Sequence, residues 1–102
     1  MIYDGIYNVI VHFTTTPETQ SDAIVEIGAY VDEFLSRQQG FLQSWLSSAT
    51  DGENIVHFAL WQSEADFRAA GEQARRHPAL PGLMRYEPRA RHHTIARVFG
   101  GG

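Results

Sequence analysis

The chain reads as an α+β domain of the ferredoxin-like kind, in the order β-α-β-β-α-β. Three observations lead there. Four short stretches concentrate β-branched and aromatic residues. Two others repeat apolar residues at three- and four-residue spacing. An Asp-Gly pair joins the second and third β-like stretches. With 102 residues, the chain has room for one domain and one core, spanning 1–102 with a loose tail at about 100–102.

Ile6 to Phe13 alternates, with Tyr7, Val9, Val11 and Phe13 on one face and Ile6, Asn8, Ile10 and His12 on the other. Both faces are partly apolar, so this strand should be covered on both sides. Thr16 followed by Pro17 is a helix start, and Glu18 and Asp22 suit the positive end of the helix dipole. Ala23, Ile24, Ile27, Tyr30, Val31, Phe34 and Leu35 carry the helical period through to Arg37, and Gly40 is a suitable stop.

Phe41 to Ser48 and Asn54 to Trp61 read as strands around a turn at Thr50–Glu53. Ser63 can cap a second helix, with Asp66 in place of the usual Glu of a capping box and Phe67, Ala70 and Ala74 as its apolar stripe. Pro78 and the Pro81-Gly82 pair break that helix. Leu83 to Arg91 carries no clear period, and His92 to Phe99 reads as the last strand. Right-handed crossovers then predict the spatial strand order 4-1-3-2 with both helices on one face. The other face would be bare in a single chain. Its apolar residues, Val56, Phe58 and Leu60 among them, point to sheet-on-sheet pairing in a homodimer.

Composition narrows the function. Hydrophobic residues at 43% and charged residues at 20% describe a globular chain, which argues against disorder. A net charge of −4 with no basic run argues against a nucleic-acid groove or an anionic membrane surface. With no cysteine, disulfides and thiolate metal sites are excluded, and with no lysine so is Schiff-base chemistry. Met1 to Asn8 lacks the features of a secretory leader and no apolar run approaches a membrane span, so a cytoplasmic protein is expected.

One stretch carries a family resemblance. Gly40 to Ala69 holds Gly-Phe-Leu at 40–42, the Asp-Gly hairpin, and Trp61-Gln62-Ser63-Glu64 running into Phe67-Arg68, and Pro-Gly-Leu-Met follows at 81–84. This resembles the antibiotic biosynthesis monooxygenase family, especially the cofactor-independent anthrone oxygenases of aromatic polyketide pathways. The resemblance implies a dimeric α+β barrel. It also implies oxidation of an aromatic polyketide, anthrone or phenol to quinone, with molecular oxygen as co-substrate and no metal or organic cofactor.

In that branch a polar residue, usually asparagine, stands four positions before the tryptophan, and both face the pocket. Here these positions are His57 and Trp61. A helix-2 aromatic, tyrosine in some members, is Phe67, so any hydroxyl at that position is lost. His57 and Trp61 are the catalytic candidates: a proton acceptor that titrates near neutrality, and an indole N–H for the developing anion. Tyr30, Phe34, Phe67, Asn8 and His12 are the substrate-binding candidates around a small aromatic ligand.

Other readings compete. His57 and Trp61 could be packing elements of a non-catalytic or isomerase-like barrel. Haem-degrading relatives resemble one another in a second tryptophan nine residues after the first and a histidine farther on; here those positions are Ala70 and about Leu80. His12, His57 and His92 or His93 could lie across one sheet face as metal ligands, but no spacing motif supports that and no metal is expected. His77 reads as a helix-end residue meeting the dipole, and Arg85, Arg89 and Arg91 as a solvated loop.

Overall fold

A computed structural model describes residues 5–101. Four strands, β1 (Tyr7–Thr14), β2 (Phe41–Ser48), β3 (Asn54–Trp61) and β4 (Arg89–Thr94), form one antiparallel sheet in the order β2-β3-β1-β4. That is the order the crossover rule predicts. Helices α1 (Gln20–Glu33) and α2 (Glu64–Ala74) cover the face that carries Val9, Val11, Phe13, Ile55, Ala59 and Trp61.

The first helix starts as its residues dictate, though one turn late. Thr16 and Thr19 exchange hydrogen bonds, each backbone N–H donating to the other's Oγ1 at 2.8 and 3.2 Å. This is a capping box built from two threonines. Regular helix runs from Gln20 to Glu33, and Leu35–Arg37 forms a separate 3-10 turn where one helix to Arg37 is expected. Phe34 breaks the run, with φ −128° and ψ −63°.

Two glycines set the joints. At Gly52 (φ +81°) a Cβ would stand 2.8 Å from Pro17 Cα, so the tip of the β2–β3 hairpin packs on the first turn leading into α1. At Gly40 (φ +83°) a side chain would overlap the Asp66 carboxylate. Gly40 also accepts a 2.7 Å hydrogen bond from the Gln62 N–H. That glycine therefore joins the start of β2 to the end of β3 and the cap of α2. The cap itself is the expected one: Ser63 Oγ accepts from the Asp66 N–H at 3.1 Å.

The last strand differs from expectation. It runs Arg89–Thr94, not His92–Phe99, because its partner β1 begins at Tyr7, opposite Thr94, and ends the ladder there. One further bond, from the Ile95 N–H to the Ile6 carbonyl at 2.9 Å, closes the pairing. All six residues of β4 are exposed, so the strand has no apolar alternation to read. The segment without a clear period contains a short helix, α3 (Leu80–Leu83), and a 3-10 turn (Met84–Tyr86). Leu83 and Tyr86 anchor it in the core beside Phe13, Ala23, Ile27 and Ile55.

The face away from the helices is apolar across β2 and β3. Trp45 and Phe58 stack there at 4.6 Å between ring centroids, and a hollow of about 460 Å³ runs from them past Leu60 to Val98 and Phe99. Among the described residues no helix is long and apolar enough to cross a membrane.

Candidate active site

Alternation along β3 puts Ile55, His57, Ala59 and Trp61 under the helices. The register sets Val11 opposite His57 and Tyr7 opposite Trp61. His57 is 5% exposed and Trp61 fully buried. Neither His57 Nε2 nor Trp61 Nε1 has a hydrogen-bond partner among the described residues. A buried polar atom left unpaired costs on the order of 1–3 kcal/mol, so two on one strand face mark a place where packing has not been optimised for stability alone. Burial holds the His57 imidazole down at about 4, neutral at ordinary pH.

His57 forms part of the wall of a cavity of about 370 Å³ between sheet and helices. The floor is Val11, Phe13 and Ala90; one wall is Ile27, Tyr30 and Val31 of α1, the other Phe67, Ala70 and Ala74 of α2. Leu80, Leu83, Met84 and Pro88 roof it. The only polar side chains in that lining are His57 and Tyr30, and burial raises the Tyr30 phenol above its usual range, so it stays protonated. A second hollow, of about 310 Å³, meets His57 from the β2 side, bordered by Asp32, Ser36 and Ser44. Its polar rim suits water, whereas the first cavity suits a flat apolar ligand.

The roof is tied down at one point. Arg85 donates to both carboxylate oxygens of Glu26 on α1, at 2.7 and 2.6 Å, and the Tyr86 hydroxyl donates to the same carboxylate. These donors hold the Glu26 carboxyl below its ordinary range.

The expected site residues are thus divided. His57, Tyr30 and Phe67 meet at the cavity. Trp61 lies one layer behind, edge-on to Phe67 at 5.6 Å and to Phe41 at 5.2 Å. Phe34 is not in the lining; it packs on His77 at 4.7 Å, and His77 also meets Tyr30 at 5.2 Å. His77 therefore buttresses the α1 wall, and its Nδ1 accepts the Ala79 N–H at 3.0 Å. Asn8 and His12 do not belong to the cavity: they pair with Leu60 and Val56, the opposite parity to His57, and so point to the other sheet face.

The same parity dissolves the histidine cluster. His12 and His93 turn away from the helices and His57 and His92 toward them, and no metal-binding group of three or more His, Cys, Asp or Glu occurs among the described residues. Sequence reasoning missed the roof residues Leu80, Leu83, Met84 and Pro88, although the Pro-Gly-Leu-Met stretch was already singled out at that place.

Comparison with known proteins agrees with the fold. The family described as antibiotic biosynthesis monooxygenase matches residues 6–77. Tetracenomycin-F1 monooxygenase of Streptomyces glaucescens is 29% identical over 73 residues, covering 72% of this chain and 65% of that protein. The chain thus spans slightly less than two thirds of that relative. A monooxygenase from the ActVA-Orf6 gene of Streptomyces coelicolor, solved with nanaomycin D, superposes with a TM-score of 0.76 at 24% identity, over 100% of this chain and 96% of that one. SnoaB, described as a cofactor-independent oxygenase from Streptomyces nogalater, superposes with a TM-score of 0.68 at 22% identity, over 93% and 96%.

Proposed function

The chain belongs to the antibiotic biosynthesis monooxygenase family, and from that premise we propose that it oxidises an electron-rich aromatic polyketide, an anthrone or phenol, to a quinone with O₂. No metal, flavin or nicotinamide takes part, as in the relative described as a cofactor-independent oxygenase. The observation that carries this reading is His57: a buried, neutral imidazole with an unpartnered Nε2, set in the wall of an otherwise apolar cavity.

A phenol or anthrone entering that cavity meets one proton acceptor and dry walls. Burial makes His57 a weaker acceptor than the near-neutral one its residue type suggests, so it takes the acidic proton only as the anion forms beside it, the negative charge offsetting the desolvation of the imidazolium. The electron-rich anion then reacts with O₂. One oxygen atom stays on the carbon as the quinone carbonyl and the other leaves as water, whose two hydrogens come from the methylene of an anthrone, or from the ring carbon and the hydroxyl of a phenol. Phe67 and Tyr30 hold the ring system. The Trp61 indole N–H, one layer behind Phe67 and without a partner among the described residues, is the donor assigned to the developing oxyanion.

The working unit in this reading is a homodimer paired through the sheet faces away from the helices. Trp45 (46% exposed) and Phe99 (76% exposed) lie on an apolar surface that a second copy would cover.

The test is O₂ uptake by metal-free protein with a panel of anthrones, naphthols and hydroquinones. Turnover that persists with chelator is expected. Activity lost to chelation and restored by one specific metal would overturn the cofactor-free reading, and no uptake with any member of the panel would favour a binding module.

A further inference from the structure

His57 borders two hollows, and an aromatic ligand occupies only one of them. The other, of about 310 Å³, lies between α1 and the edge strand β2. Gly28 and Asp32, one helical turn apart, form its α1 side. Ser44 and Leu46 form its β2 side, with Leu46 opposite His57 and Ser44 opposite Ala59 in the ladder. The polar groups of this hollow step inward. Asp32 and Ser36 are exposed, Ser44 is half-buried, and His57 is buried. A hollow this large with several polar groups has room and partners for a few waters. Gly28 stands in the interior of α1, where glycine is unfavourable. A Cβ there would meet nothing within 4 Å, so close packing does not require a glycine at that place. Its effect is to leave the hollow open. Burial meanwhile makes His57 a weak base, and a weak base serves better when the proton it takes does not have to stay on it.

We propose, resting on the oxygenase reading, that the β2-side hollow is a water-filled proton path through which His57 exchanges protons between the bound ligand and solvent. The imidazole takes the ligand's proton on one ring nitrogen and releases one from the other. Water at Ser44 receives it, and the Asp32 carboxylate stands at the outer end. Such a relay uses both ring nitrogens, and Nε2 has no partner among the described residues. One proton leaves by this path as the anion forms. One returns by it as the second oxygen atom departs as water, which restores the starting tautomer. The sum over a turnover is unchanged, and no oxidant besides O₂ is required. Gly28, Ser44 and Asp32 act here as positioning residues, since none of them lines the ligand cavity.

The experiment is anaerobic deuterium exchange on the full chain, metal-free, in D₂O near neutral pH, with a dihydroxyanthrone as the probe. Without O₂ the anion can only be reprotonated, so each proton relayed to solvent is read as deuterium at the anthrone methylene. The wild type should label that carbon about a hundred-fold or more faster than buffer does. Gly28→Leu fills the hollow, and Ser44→Ala breaks the water chain without adding bulk. Each, checked for an unchanged thermal midpoint and unchanged probe binding by calorimetry, should slow labelling about ten-fold, the worth of one lost hydrogen bond. Ser44→Ala decides alone if the leucine prevents folding. Labelling at the wild-type rate in the folded variants overturns the proposal. Oxidation in air by a wild type that places no deuterium anaerobically also overturns it, because His57 then keeps the proton it takes, and the oxygenase reading stands. Labelling that depends on Gly28 and Ser44, with no O₂ uptake in air, sinks the oxygenase reading and leaves the path. Neither labelling nor O₂ uptake overturns both.

Discussion

Replacing His57 with asparagine removes a buried titratable group at little change in polarity, and the effect on stability can be worked out from its burial. The folded imidazole takes a proton only at about 4, whereas the unfolded chain takes one at 6.5. Acid therefore favours the unfolded state. The penalty is absent above 6.5, grows as the pH falls, and is complete below about 4. At about 1.4 kcal/mol for each tenfold difference in proton affinity, it amounts to about 2 kcal/mol at pH ~5 and about 3 kcal/mol at its limit. His57→Asn has no such penalty. Urea unfolding of both proteins across pH 7 to 4 should show the wild type losing stability relative to the variant by these amounts, since all other titrating groups cancel in the difference. Parallel stability curves for the two proteins would mean that the folded imidazole titrates like the unfolded one. The dry wall assigned to His57 would then be wrong.

Three further outcomes are expected. His57→Ala should lower turnover about a hundred-fold or more, with a smaller effect on binding. Trp61→Phe, which keeps the ring but loses the N–H, should lower it less than Trp61→Ala; an unchanged rate in folded His57→Ala would remove His57 as the base. Glu26→Gln should loosen the hold on the roof, read as faster amide exchange confined to residues 80–88, and unchanged exchange there would show that core packing of Leu83 and Tyr86 suffices. Phe58→Asp places a charge on the sheet face away from the helices and should shift a sedimentation equilibrium toward single chains, whereas an unaltered dimer would locate the interface elsewhere.

Strand order, helix placement and the shared face of His57 and Trp61 were legible because each depends on local alternation or on a handedness rule. Asn8 and His12 were misassigned for a different reason. Whether a residue on one strand faces a residue on the next depends on register, which puts His12 opposite Val56 and one step out of phase with His57. Phe34 keeps the helical spacing in sequence, but the helix ends just before it, and the broken backbone turns its ring toward His77. The fourth strand was displaced because Arg89, Arg91, His92 and His93 lie on an exposed edge where burial imposes no pattern. Ile95, Val98 and Phe99 had the more strand-like composition but lie beyond the end of β1. The roof escaped notice because four residues of helix carry too little period to read.

The unpartnered Nε2 of His57 and Nε1 of Trp61 also bear on laboratory evolution of this chain. At His57 an apolar replacement of similar shape, His57→Leu, relieves an unmet hydrogen bond worth about 1–3 kcal/mol, whereas Trp61→Phe trades the same relief for a cavity in the core. A selection for heat resistance alone should therefore drift toward position 57 early. Survivors that withstand more heat yet turn over nothing would outline the reactive part of the molecule before any substrate had been found for it.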